Sequence, residues 1–297
     1  MVFVIFVAGL LEYNSGKTTL SKEIMRQFKE EQGIKVQPFK PLSGNNLYYN
    51  FKEIRKNFDK YKEILSLDIV ELVEQAETKV ENPTINNPVH KLNTPAIPYE
   101  FIKEGVTQTY YNRFTESVAL IQRFTIIEEE NKSKNYYIIN NQSYKNTKFF
   151  NEEEIIEELR KKAEKINTYS NEEEYIALNM DYYAKATEST FNYWEKKEKI
   201  ILIEGFNNSA HPAWCVRKAN IVILVGPGTI ITYEPEKYFT AIDNYRMINR
   251  EKLTITSDIV KIQKPDAMFR FALNKEDQDK EIKKLVEEIN KKKDKIN

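Results

Sequence analysis

The chain has 297 residues, 41% hydrophobic and 30% charged, with a formal net charge of zero. That length builds one large or two modest domains, and the balanced charge lacks the basic excess of a general nucleic-acid binder. A single cysteine, Cys215, excludes an internal disulfide framework and reads as core. No apolar stretch approaches the roughly 20 residues that cross a bilayer. The apolar start is shorter than a signal peptide and has no basic residues before it, so a cytoplasmic protein with no membrane or nucleic-acid partner is expected.

Residues 2–8 (VFVIFVA) form a continuous apolar run that predicts a buried strand. Gly9 to Thr19 (GLLEYNSGKTT) follows, and an amphipathic helix then runs to about Gln32, closed by Gly33. A strand, a turn ending in Gly-Lys-Thr-Thr and a helix make the phosphate-binding loop of a nucleoside triphosphatase. Its usual spacing puts a glycine six residues before the lysine; Leu11 stands there, and Gly9 lies two positions earlier. Backbone N–H groups of the turn and the positive helix end hold an anion. Gly9, Asn14, Ser15, Gly16, Lys17, Thr18 and Thr19 are the expected nucleotide contacts, with Lys17 on the terminal phosphates and the Thr18 hydroxyl on Mg²⁺.

Ile34–Lys40 alternates apolar and polar and predicts a second strand, stopped by Pro41 and parallel to the first across a right-handed crossover. Apolar spacing from Tyr61 through Ile64, Leu65, Leu67, Val70, Leu72 and Val73 predicts one helix over 60–79. Asn82–Pro98 is rich in Asn and Pro and predicts an extended loop. LIQRFTIIEE and NYYIIN flank a polar turn at Asn131–Lys134 and predict a hairpin, followed by helices over 152–166 and 172–197. Strands are then expected at Ile200–Ile203, Ile221–Val225, Thr254–Ser257 and Ile259–Ile262. A polar helix over 275–295 ends the chain, its Lys291–Lys293 run read as solvated. The fold class is α/β, a mainly parallel sheet flanked by helices. Residues 1–99 and 199–297 make the nucleotide-binding domain, and 100–198 form an inserted α+β module.

A nucleotide enzyme needs a carboxylate for Mg²⁺ at the end of a strand beside the phosphate loop. Glu204 ends the apolar run KIILIEG and is placed for this, with Gly205 letting the backbone pass close to phosphate. With these landmarks the chain resembles the dethiobiotin synthetase and cobyric acid synthase group of P-loop enzymes. The carriers are the loop ending at Gly16-Lys17-Thr18, Phe39-Lys40-Pro41 after the second strand, Ile203-Glu204-Gly205, and Leu224-Val225-Gly226, over roughly residues 1–98 and 199–230. The resemblance implies that Lys40 faces phosphate or substrate, that Asp68 joins Thr18 and Glu204 on the metal, and that Asn82–Pro98 is a substrate loop. Lys17, Lys40 and Glu204 are then the catalytic set.

His90 reads as an exposed loop residue, and His211 as a polar loop residue or proton carrier. Tyr182, Tyr183, Tyr193 and Trp194 recur at helical spacing and read as core or interface. No Asn-Lys-x-Asp guanine motif stands after a strand, which favours ATP over GTP. The expected activity is Mg-ATP-dependent phosphoryl transfer, as a hydrolase or ligase, to a small acceptor such as a carboxylate. The rival is a nucleotide-driven switch or assembly ATPase whose 100–198 module binds a protein partner. That module is expected to wall the acceptor site or to form a homodimer surface.

Overall fold

The computed structural model describes residues 2–77, 83–94, 105, 118–128, 132–140, 152–169, 171–249 and 253–295. In chain order these begin with β1 Phe3–Gly9, α1 Lys17–Gln32, β2 Gln37–Phe39, β3 Leu42–Asn46, α2 Phe51–Tyr61, α3 Leu67–Gln75 and a short 3-10 turn Pro83–Ile85. Next come β4 Val89–Thr94, β5 Val118–Ile127, β6 Ser133–Asn140, α4 Glu152–Arg160, β7 Ala163–Tyr169 and α5 Glu172–Lys197. The last third holds β8 Ile200–Glu204, β9 Ile221–Gly226, β10 Gly228–Tyr233, α6 Pro235–Ile248, α7 Thr256–Ile262, β11 Ala267–Phe271 and α8 Lys275–Asp294. Contacts group these into two units: Met1–Leu42, Asp68–Asn86 and Phe191–Asn297 in the first, Ser43–Leu67 and Asn87–Thr190 in the second. Residues 43–67 and 87–94 therefore group with the hairpin segment, and 191–198 with the first unit.

The first unit is built on a six-stranded sheet in the order β11-β10-β9-β1-β8-β2. The pairs β2–β8, β8–β1 and β1–β9 are parallel, whereas β9–β10 and β10–β11 are antiparallel, so the sheet is mixed. β1 and β2 run parallel as expected, but β8 lies between them. Every residue of β1 is buried, because both faces of this central strand are covered, and a strand covered on both faces reads as a continuous apolar run. Phe3, Ile5 and Val7 join Leu20, Ile24 and Phe28 of α1, Ile69 and Leu72 of α3, and Ile282, Leu285 and Ile289 of α8 in one core. Lys292 and Lys293 of the terminal lysine run are not freely solvated. Lys292 pairs with Glu234, and Lys293 donates to Gln32 and lies over the Phe28 ring.

The second unit carries a five-stranded sheet in the order β3-β4-β5-β6-β7. The β5–β6 hairpin pairs Ile121 with Ile139 through Ile127 with Ser133, as expected from the sequence, and β6–β7 is parallel. Ile54 and Phe58 of α2 and Ile155, Ile156 and Leu159 of α4 pack with Leu92, Ile121 and Ile139 of the sheet. Arg123 is fully buried here. It donates to Ile64 O (3.1 Å), Asn87 O (2.8 Å) and Thr125 Oγ1, with Glu63 Oε1 at 3.8 Å. Glu63 in turn accepts from Ile64 N (2.9 Å), Asn135 (2.8 Å) and Tyr137 OH (2.7 Å).

Four expectations fail for physical reasons. The helix over 60–79 is two helices, because Lys62 takes a left-handed conformation (φ 53°) that ends α2 and Asn45 accepts from Leu67 N at the start of α3. The apolar spacing continues across that break and hides it. The helix over 152–166 stops at Arg160, and Ala163–Tyr169 pairs with β6. The strands expected at 254–257 and 259–262 are replaced by α7, which buries Thr256 and Ile259 on one side. Within Asn82–Pro98 the described residues form the 3-10 turn and β4, not an extended loop; Val89–Thr94 contains no proline, so its N–H groups are available to a sheet. Residues 82 and 95–98, like 78 and 79 of the expected helix, lie outside the described residues. Among the described residues no helix is long and apolar enough to cross a membrane.

Gly33 ends α1 in the left-handed region (φ 63°), with its N–H on Lys29 O (3.0 Å) and Ile34 N on Phe28 O (3.2 Å). Nothing lies within 4 Å of an added Cβ. The cost of a side chain here is therefore conformational. Gly33→Ala is expected to lose about 1 kcal/mol in urea unfolding with an unchanged slope, and Gly33→Asn less.

Candidate active site

The parallel register places the site. Phe39 pairs with Ile203 and Val7 with Glu204, so the carboxyl ends of β2, β8 and β1 meet at one level. Lys40 follows β2 directly, Glu204 closes β8, and the loop from Gly9 leaves β1. Ligands of open α/β sheets bind at such strand ends.

The loop closes tightly on its first glycine. A Cβ at Gly9 would sit 2.4 Å from Ser15 Oγ, 2.7 Å from Lys17 Nζ and 2.9 Å from Leu11 O. The Lys17 side chain thus folds back from the first residue of α1 over the start of the loop, and it donates to Ser15 Oγ at 3.1 Å. Gly9 O accepts from Thr256 Oγ1 at 2.6 Å. Asn14 (φ 54°) and Gly16 (φ 90°) both take left-handed conformations to make the final turn. Gly16 caps α1 without a side chain, and no acidic residue lies in the first helical turn. The first N–H groups of the helix point toward the loop with positive dipole, and the helix's own first turn carries no carboxylate. A Cβ at Gly16 would meet the Phe271 ring at 2.6 Å. Asn14 and Thr19 are exposed, and Ser15 is buried.

Four charged groups converge beside this loop. Lys40 Nζ lies 2.8 Å from Asp68 Oδ2 and 2.5 Å from Glu204 Oε1. The Thr18 hydroxyl donates to the same Glu204 oxygen at 3.3 Å. Glu204 is fully buried, and its Oε2 has no hydrogen-bond partner among the described residues. Asp68, on the first turn of α3, is the open member, with 44% of its side chain exposed. Lys40 is positioned by its backbone, whose N–H donates to Asn86 O at 2.7 Å, while Asn86 Nδ2 donates to Pro38 O at 2.8 Å.

The electrostatics follow from this packing. Burial alone would discharge Lys40, but Asp68 and Glu204 outweigh it and hold the ammonium above its ordinary range. Lys40 in turn pulls the Asp68 carboxyl below its usual range. Burial raises the Glu204 carboxyl, and the neighbouring Asp68 adds to that while Lys40 opposes it. Lys17 is lowered, first by burial and then by Lys40. The group is neutral in sum, two ammonium groups against two carboxylates.

Lys17, Thr18, Lys40, Asp68 and Glu204, spread over nearly two hundred positions, are therefore brought together. Gly205 lies tight against β1. Its N–H donates to Val7 O at 2.8 Å, and a Cβ would stand 3.3 Å from Phe6 and Val7 O, so its smallness admits β1. His90 is not an exposed loop residue. It is buried on β4 in the second unit, with Nδ1 2.7 Å from Ser43 Oγ. Asn86, Thr256 and Phe271 support the site without a sequence signal that marks them, since each acts through a contact made only in the fold. Among the described residues no cluster of three or more His, Cys, Asp or Glu side chains forms a protein-only metal cage. Compared with known protein families, characterised proteins and solved structures, the chain matches none.

His211 lies edge-on to Phe239 and accepts from Arg217, whose guanidinium is paired with Asp243. Burial, then Arg246 and Arg217, lower its pKa to about 4. A histidine kept neutral in this way adds stability above its unfolded pKa, and that stability drains as pH falls from about 6.5 to 4. The loss is expected to be on the order of 2 kcal/mol after allowance for screening. Urea unfolding of His211→Gln across that range should show a flatter profile than the wild type; equal slopes would show that His211 titrates normally.

Proposed function

We propose that this chain is a Mg²⁺- and ATP-dependent phosphoryl-transfer enzyme, a hydrolase or ligase of the P-loop kind that dethiobiotin synthetase exemplifies. One observation carries the reading. The lysine and threonine that open α1 share a single cluster with Lys40, Asp68 and Glu204, at the carboxyl ends of three parallel strands and beside a glycine-closed loop. A strand-to-helix turn of ordinary structural purpose has no need of two lysines and two carboxylates held together at this level.

The proposed roles rest on the same cluster. The N–H groups at the start of α1 and Lys17 bind and orient the triphosphate, and they stabilise charge on the transferred group. Thr18, Asp68 and Glu204 offer oxygen donors of the kind Mg²⁺ takes. The unpartnered Glu204 Oε2 fits that need, because a buried carboxylate oxygen without a partner is costly unless a cation or donor meets it. Bound Mg²⁺ supplies charge neutralisation on the phosphates. Lys40 orients the acceptor, a small carboxylate by resemblance, and the buried floor around Glu204 excludes water from its side of the site.

Loss of the Lys17 charge removes charged hydrogen bonds worth about 3 kcal/mol, so Lys17→Ala is expected to weaken ATP binding roughly 100-fold in calorimetry while circular dichroism stays unchanged. Glu204→Gln keeps the shape and removes the charge. It should bind ATP and lose most Mg²⁺-dependent turnover in a phosphate-release assay. Wild-type ATP affinity in the first variant, or a wild-type Mg²⁺ titration in the second, contradicts the proposal.

A further inference from the structure

The two carboxylates assigned to the metal already hold a cation of the protein's own. Lys40 Nζ bridges Asp68 Oδ2 and Glu204 Oε1, and only 4% of its side chain is exposed. The Glu204 oxygen it uses is the one that also accepts from Thr18, the third oxygen donor of the set. The backbone that leads into Lys40 is anchored. Phe39 is buried edge-on to Phe191 at 5.6 Å, and the Lys40 N–H is held by Asn86. With that anchor, the ammonium can be displaced by a change of side-chain rotamer.

Mg²⁺ needs oxygen ligands at about 2.1 Å. It cannot take Asp68 and Glu204 while an ammonium stands between them, because the two cations repel at contact distance in a poorly solvated site. With Lys17 nearby as well, two lysines face the two carboxylates before any ion arrives, so a free metal ion gains little net attraction. A metal–triphosphate complex meets different conditions. Its phosphates carry negative charge that Lys40 can move to as it leaves the carboxylates, so each cation exchanges one anionic partner for another.

Resting on the phosphoryl-transfer reading, we propose that Lys40 is a tethered counter-cation that keeps free divalent ions out, so that the metal enters only as its nucleoside triphosphate complex. The ammonium moves from Asp68 and Glu204 to the phosphate or acceptor side as the complex docks. The substrate is then the magnesium–nucleotide complex, loaded in one step, rather than metal and nucleotide in either order.

Binding of Mn²⁺ alone, followed by electron paramagnetic resonance on the full chain, tests this without turnover. The wild type is expected to bind Mn²⁺ weakly, Lys40→Met about ten-fold more tightly or better, and Lys40→Arg no more tightly than the wild type. Equal Mn²⁺ affinity in wild type and Lys40→Met, including no binding to either, overturns the proposal. Removal of one partner of a buried pair threatens the fold, so a second measurement uses the wild type itself. The buried Lys40 ammonium is followed by proton–nitrogen correlation of lysine side chains. It should shift on addition of Mg²⁺ with a non-hydrolysable ATP analogue and stay in place with Mg²⁺ alone. A shift with Mg²⁺ alone, or none with the complex, counts against it. The function reading fails separately, if calorimetry finds no binding of the ATP analogue to the wild type.

Discussion

The buried Glu204 carboxylate is the constraint around which the first unit is arranged. A carboxylate with no exposed surface is sustained only by a partner, and here the partner is Lys40 at 2.5 Å. That pairing demands that β2 lie next to β8 in the register that sets Phe39 against Ile203, because one residue of slip would turn Lys40 to the other face. It also demands that β8 separate β1 from β2, which brings Glu204 against the loop on one side and Lys40 on the other. The sheet order and the cluster are thus one fact seen at two scales.

The loop is constrained by a different quantity, space. Gly9 cannot carry a side chain because Ser15, Lys17 and Leu11 all crowd the position a Cβ would take. Gly16 is doubly fixed, by a positive φ and by the Phe271 ring. Under the proposed phosphate-loop reading, this accounts for Leu11 standing where the usual spacing has glycine. The close approach falls at Gly9 instead, and Leu11 is exposed.

How far the sequence foretold this differs by kind of signal. β1, α1 with its Gly33 cap, β8, β9, the β5–β6 hairpin and α8 were legible because each is long and strongly patterned. Lys17 and Thr18 were legible from local spacing, and Lys40, Asp68 and Glu204 through their places after strands and in a resemblance. β10, β11 and α6 were not read. The reversal at Gly228 (φ 70°) and the antiparallel return of β10 depend on pairing with β9, which no local pattern states. The break between α2 and α3 was hidden because Ile64 and Leu65, buried for reasons of tertiary packing, carry the apolar spacing across a segment that is not helical. Thr256 was read as part of a strand, although its hydroxyl holds the carbonyl of a residue 247 positions away.

Among the described residues two acid–base pairs are buried, and the comparison between them bears on function. In the second unit Arg123 and Glu63 are both enclosed. Arg123 spends its donors on Ile64 O, Asn87 O and Thr125, and both Glu63 oxygens accept hydrogen bonds. Such a network is closed; it rigidifies the sheet around β5 and offers nothing to a ligand. In the first unit Lys40 and Glu204 are equally enclosed, yet one Glu204 oxygen has no hydrogen-bond partner and the third member, Asp68, opens to solvent. A purely structural pair gains by satisfying every atom, as Arg123 and Glu63 do. The incomplete pair lies beside the helix N-terminus and its flanking lysine, and under the proposed function an anion and its counter-cation would complete it.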